Sequence, residues 1–125
     1  MGTIIRKGEL PAASRPAQGG FTGPAVQHPL HEQRAPLPVR VSLVGFESGS
    51  RTHWHTHGGG QVLHVVEGAG LTQVEGGHVE EILEGDIVTV APGEKHWHGA
   101  GNEGPMRHLA VTIGDVIWLE EPPTR

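Results

Sequence analysis

The segment Arg51-Thr52-His53-Trp54-His55-Thr56-His57 sets three imidazoles at alternate positions. Along an extended strand successive side chains point to opposite faces, so His53, His55 and His57 would share one face and Trp54 and Thr56 the other. Imidazoles spaced i and i+2 can hold one metal ion from a rigid strand. Past Gly58-Gly59-Gly60 comes Gln61, an oxygen donor four residues beyond His57; the glycines are expected to turn the chain and bring the next strand back alongside. A further imidazole, His96, lies in Gly93-Glu94-Lys95-His96-Trp97-His98. Borderline divalent metals accept imidazole nitrogens, with oxygen donors completing the shell. Histidines with one neutral amide leave the ion its full double charge, hence a stronger Lewis acid. Four protein ligands in an octahedral shell keep positions open, which a tetrahedral structural zinc site does not. Any one of these histidines alone reads as a packed or surface residue. Their conjunction points to a metal.

Those residues need a scaffold, and from Val39 onward the pattern supplies one. Runs rich in Val, Ile, Leu and Thr alternate with glycine-containing breaks: Val39–Glu47, Thr52–His57, Gln61–Glu67, Leu71–Glu75, His78–Leu83, Ile87–Val90, Lys95–Gly99, Arg107–Ile113 and Val116–Leu119. Eight or nine short strands at this spacing predict an all-β sandwich or barrel over residues 39–119. Six of the ten prolines fall within residues 1–38, which excludes a long helix or central strand there. That region is expected to be an extended arm contributing edge strands near Ile4–Ile5 and Phe21–Val26, and residues 120–125 a tail. Trp54 and Trp97 alternate away from the candidate ligands and are expected on an outer face or subunit contact. His28, His31, His64 and His78 read as surface or packing residues.

Composition narrows the chemistry. Of 125 residues none is cysteine, which removes thiolate metal sites, iron–sulfur clusters, disulfides and cysteine nucleophiles. The net charge of −5 argues against a nucleic-acid partner. It is unevenly spread, +3 over residues 1–51 and −8 over residues 52–125. No apolar run approaches the ~20 residues of a membrane helix, and no signal-peptide pattern opens the chain, so a cytoplasmic protein without membrane partner is expected. Ten histidines against two lysines is the feature that composition alone leaves unexplained.

The motifs resemble those of the cupin superfamily. The first cupin motif, G-x5-H-x-H-x(3,4)-E-x6-G, is matched by Gly49, His55, His57, Gln61 in place of Glu, and Gly68. The second, G-x5-P-x-G-x2-H-x3-N, is matched by Gly85, Gly93 and His96, with Ala91 at the Pro position and Ala100 at the Asn. These intervals select His55 and His57, leaving His53 as a same-face neighbour or a residue at the barrel mouth. Trp54–His57 with Gly60-Gln61, Gly85–Val88, and Pro92–Ala100, followed by His108, are similar to a bacterial subgroup of short single-domain cupins that includes manganese-dependent hydroxynitrile lyases.

The resemblance implies a single-domain jelly-roll barrel, a double-stranded β-helix. It implies one divalent transition metal (Mn²⁺, Fe²⁺, Ni²⁺ or Zn²⁺, with Mn²⁺ favoured) held by His55, His57, Gln61 and His96. His98, two residues beyond His96, and His108 on a later strand are then the candidate catalytic acid/base groups, since imidazole suits proton transfer near neutral pH. The expected reaction is lyase or proton-transfer chemistry on a small carbonyl or hydroxyl compound, in a homodimer with exchanged arms. The competing expectations are an iron-dependent dioxygenase of quercetinase type and a non-catalytic module binding a small ligand.

Overall fold

The computed structural model describes residues 2–12 and 20–122. Residues 13–19 of the expected arm and 123–125 of the expected tail lie outside the described residues. The described residues form twelve strands: β1 (Phe21–Thr22), β2 (Ala25–Gln33), β3 (Val39–Phe46), β4 (Arg51–Thr52), β5 (His55–His57), β6 (Gln61–Gly68), β7 (Gly70–Val74), β8 (Glu80–Ile82), β9 (Ile87–Val90), β10 (His96–Ala100), β11 (Met106–Ile113) and β12 (Val116–Trp118). Among them is no α-helix, and hence no helix long and apolar enough to cross a membrane. Phe21 and Val26 fall in strands as expected, but Ile4–Ile5 does not. Both isoleucines are exposed, so pairing there would bury nothing, and the chain runs instead into one 3-10 turn, Lys7–Glu9.

All strand pairs are antiparallel, in two curled sheets. One runs β2-β3-β11-β6-β9; the other runs β1-β4-β10-β5-β12, with β7 on the far edge of β10 and β8 beyond it. The period of two is plain in β11, where Met106, His108, Ala110 and Thr112 are buried between residues of intermediate exposure. In β3 the buried row is Ser42, Val44 and Phe46, with Arg40 on the same face, while Val39, Val41 and Leu43 lie on the other. The barrel thus has an apolar end and a polar end. Phe46, Leu63, Val65, Met106 and Ala100 fill the first, and the histidines occupy the space next to it.

Two local features decide where the histidines go. The expected continuous strand Thr52–His57 is broken at His53-Trp54 because the backbone changes partners: His53 N–H donates to Gly20 and Trp54 N–H to Glu120. His53 therefore leaves the row of His55 and His57. The glycine turn after His57, in turn, does not lay β6 beside β5. It carries the chain across to the facing sheet, so Gln61 approaches the histidines from the opposite wall.

Gly60 makes that crossing at φ +92°, and a Cβ there would stand 2.7 Å from the Val90 carbonyl oxygen. Gly76, in the β7–β8 turn, has φ +87° with open space around it. Gly76→Ala should therefore cost only the left-handed strain of about 1 kcal/mol. Gly60→Ala adds a clash with backbone and should cost about 3 kcal/mol. Urea denaturation of both variants checks this; equal losses would contradict it.

Candidate metal centre

The imidazoles come from two adjacent strands and one facing strand. His55 and His96 are register partners across β5 and β10, which puts their rings side by side at 4.2 Å between centroids. His57 lies 4.8 Å from His55 and 5.4 Å from His96 by the same measure. His98, two residues along β10, is 5.3 Å from His55, and His108 of β11 lies 4.9 Å from His98. All five are buried, as is Gln61. Phe46 closes the floor, 5.9 Å from His98 and 5.3 Å from His108.

Hydrogen bonds to the backbone aim the rings. His55 Nδ1 contacts the His53 carbonyl at 2.8 Å and His96 Nδ1 the Glu94 carbonyl at 3.2 Å, each two residues back along the chain. A carbonyl can only accept, so each ring donates from Nδ1 and, being neutral, keeps a lone pair on Nε2. Gln61 is held from its other end: Nε2 donates to Thr112 Oγ1 at 2.9 Å, leaving Oε1 directed inward, 3.1 Å from His96 Nε2. So oriented, two acceptor atoms face each other at about the 3 Å spacing that neighbouring ligands of a first-row ion adopt.

The donor set fits a metal ion. Both ring nitrogens of His57, Nε2 of His98 and Nδ1 of His108 are buried with no hydrogen-bond partner among the described residues. Each such orphan costs about 1–3 kcal/mol unless something binds it. Burial, reinforced by His96, pushes His55 down to about 3; burial, His96 and Arg40 push His57 down to about 4. Burial lowers His96 as well, drives His98 well below its ordinary value, and takes His108 down to about 4. The rings are therefore neutral at physiological pH, the form in which imidazole binds metal.

The structure places His55, His57, Gln61 and His96 on the inner walls of the barrel with His98 and His108 beside them. The three imidazoles whose ligand atoms lie within 4.8 Å of one another are His55, His96 and His98, a set that has His98 where the expected ligand set has His57. Three imidazoles here could hold one metal. His53 is not among them; its Nε2 lies 3.7 Å from Glu121. Trp97 points away from the ligands as expected but is fully covered, under the Arg51 guanidinium and donating from Nε1 to Gln73 at 2.9 Å. His64 is exposed, as expected.

Beside the cluster is a cavity of 210 Å³ lined by His55, His57, Gln61, His98 and His108, with apolar walls from Phe21, Val44 and Trp118. That is below the ~300 Å³ of drug-sized pockets, so it suits a small molecule. Sequence reasoning missed Arg40, Phe21 and Trp118 as lining residues. Trp118 is 4.6 Å from His55 and 5.8 Å from Phe21; neither aromatic residue lies in a metal-ligand motif.

Residues 42–112 match the family model of the cupin domain. The chain is 48% identical over 108 residues to the (R)-mandelonitrile lyase of Granulicella tundricola, covering 86% of this chain and 82% of that protein. Among solved structures, a cupin-like protein of Thermotoga maritima is similar at TM-score 0.81 and 33% identity, covering 90% of this chain and 87% of that one. A conserved protein from Klebsiella pneumoniae with a double-stranded β-helix domain shares the fold at TM-score 0.71 and 20% identity, covering 97% of this chain and all of that one.

A histidine held neutral by folding is protonated first in the unfolded chain, so stability contributed above pH 6.5 is lost as pH falls toward about 4. Chelator-treated protein should lose several kcal/mol of stability across that window. A flat profile in denaturant titrations would contradict a buried neutral cluster.

Proposed function

The chain belongs to the cupin family, and from that premise we propose that it is a metal-dependent lyase moving a proton on a small carbonyl or hydroxyl compound, with cyanohydrin cleavage as the reaction to test. The observation carrying this reading is the buried pair His108 Nε2···His98 Nδ1, 3.1 Å apart, which extends the His55–His96–His98 cluster by one more imidazole. A site built only to hold an ion has no use for a further linked imidazole with an unpartnered nitrogen among the described residues. The name of the relative from Granulicella tundricola supports the reaction class.

His55, His57, His96 and Gln61 would hold the ion. His57 is given the third imidazole position as the partner of His55 in the first cupin motif, with both its ring nitrogens unpartnered; His98 is assigned to the proton-moving pair through its Nδ1 contact with His108. A bound divalent ion, with Mn²⁺ first among the candidates, would supply Lewis acidity toward the substrate oxygen. The chain does the rest. Phe21, Val44 and Trp118 line the cavity and seat the substrate's apolar part. His108, neutral through burial, takes the hydroxyl proton at Nδ1. The oxygen's electron pair forms the carbonyl, the carbon–cyanide bond breaks, and cyanide leaves with that bond's pair. His108 then gives the proton to cyanide, and its bond to His98 holds the ring in place throughout.

The protein is taken to act as a homodimer. Supporting this, the outward faces of the central strands β3 and β11 carry Val39, Val41, Leu43, Leu109, Val111 and Ile113 in register, an apolar surface suited to a second copy. Leu109→Glu should then give a monomeric mass in light scattering.

Manganese-loaded protein should release benzaldehyde from mandelonitrile, and chelation should abolish this. His108→Ala should keep its metal and lose about 10²–10⁴-fold in kcat, while His57→Ala should lose metal and activity together. Equal turnover by His108→Ala, or turnover that consumes oxygen, would contradict the proposal.

A further inference from the structure

The cavity contains one charge that the reaction above does not use. Arg40 lies on the inner face of β3, in one register row with Thr112 of β11 and Gln61 of β6, the amide at the metal cluster. An arginine turned inward while the neighbouring valines face outward reverses the amphipathic rule, and a partly desolvated guanidinium is costly without a partner. Among the described residues it has none. No ion pair among the described residues involves Arg40; Asp115, which lines the outer groove with it, pairs with Arg34 at 3.6 Å, both of them exposed. Glu32 sits opposite Arg40 across β2 and β3, but it is exposed and makes no ion pair with it.

No other group lining the cavity carries a formal charge apart from the histidines. None is Asp, Glu, Lys or a second Arg, so Arg40 is the one formally charged side chain among the lining residues. Arg40 also borders a larger open groove of 660 Å³, together with Val116, so it stands where that groove meets the inner cavity. His108 is four residues from Thr112 on β11, two inward rows or about 14 Å along the strand. His108 and Arg40 line the same cavity, which suits a small molecule with its reacting end at the histidines and its other end at the arginine.

We propose that Arg40 is the specificity-determining residue of this cavity and selects a small monocarboxylate, whose two oxygens its guanidinium receives in a paired, charge-assisted contact. The idea rests on the cavity being the substrate site, and it narrows the substrate from any small hydroxyl or carbonyl compound to a hydroxy or oxo acid, or a cyanohydrin bearing a carboxylate. Arg40 positions the substrate and takes no part in the proton transfer.

The probes are mandelate and its neutral isostere mandelamide, titrated calorimetrically into the metal-loaded protein. A charge-assisted pair predicts a preference for the acid of about ten-fold or more. In Arg40→Met that preference should vanish while the amide binds as before, and Arg40→Lys should restore it only in part. Equal affinity for acid and amide in the unmodified protein would overturn the proposal. So would a preference that survives in Arg40→Met, since the anion would then be held at the metal centre instead. Neither result depends on turnover, so mandelonitrile cleavage can stand or fall separately.

Discussion

Everything in this molecule turns on polar rings buried inside the barrel. Five imidazoles and an amide occupy the inside of two curled sheets, and several of the ring nitrogens have no partner among the described residues. A domain of this size gains its stability from a single apolar core, and here that core fills only one end of the barrel. The other end carries side chains whose burial works against folding unless a cation satisfies them. The fold accepts that opposition because the two needs are separated in space. Phe46 marks the border, touching the core on one side and the His98–His108 pair on the other.

The barrel also explains how the rings are aimed. Side chains alternate along a strand, so His55 with His57, and His96 with His98, project inward from neighbouring strands without any special loop. Their tautomers are set by carbonyls two residues back in the chain, a local device that needs only extended backbone. Gln61 comes from the opposite sheet and is braced by Thr112. The site is thus pinned by both walls, and the glycine crossing between β5 and β6 is what makes the two walls meet.

Much of this was legible in the residues. The strand runs from Val39 to Ile113 follow the alternation of β-branched stretches with glycine, and the motif intervals picked out His55, His57, Gln61 and His96 as a group. What stayed hidden depends on tertiary partners. His53 reads as one more inward imidazole until its backbone pairs with Gly20 and the strand breaks. The triple glycine reads as a hairpin, because nothing local tells a return from a crossing between sheets. Arg40 has no signal of its own in the sequence, since Val39, Val41 and Leu43 alternate with it as an apolar row. Only the far end of the barrel, filled with polar groups, makes the arginine's face the inward one. Trp118 and Phe21 are far apart in sequence, and their meeting at the cavity wall has no local signal.

The central claim is that one divalent cation is gripped by His55, His57, His96 and Gln61. Metal content by elemental mass spectrometry, on protein purified without added metal and on protein reloaded with Mn²⁺, tests it most directly. The account requires about one ion per chain in the unmodified protein, its loss in His55→Ala and His57→Ala, and its retention in His108→Ala. A chain that takes up no stoichiometric metal, or holds it equally well without His55 and His57, would contradict it.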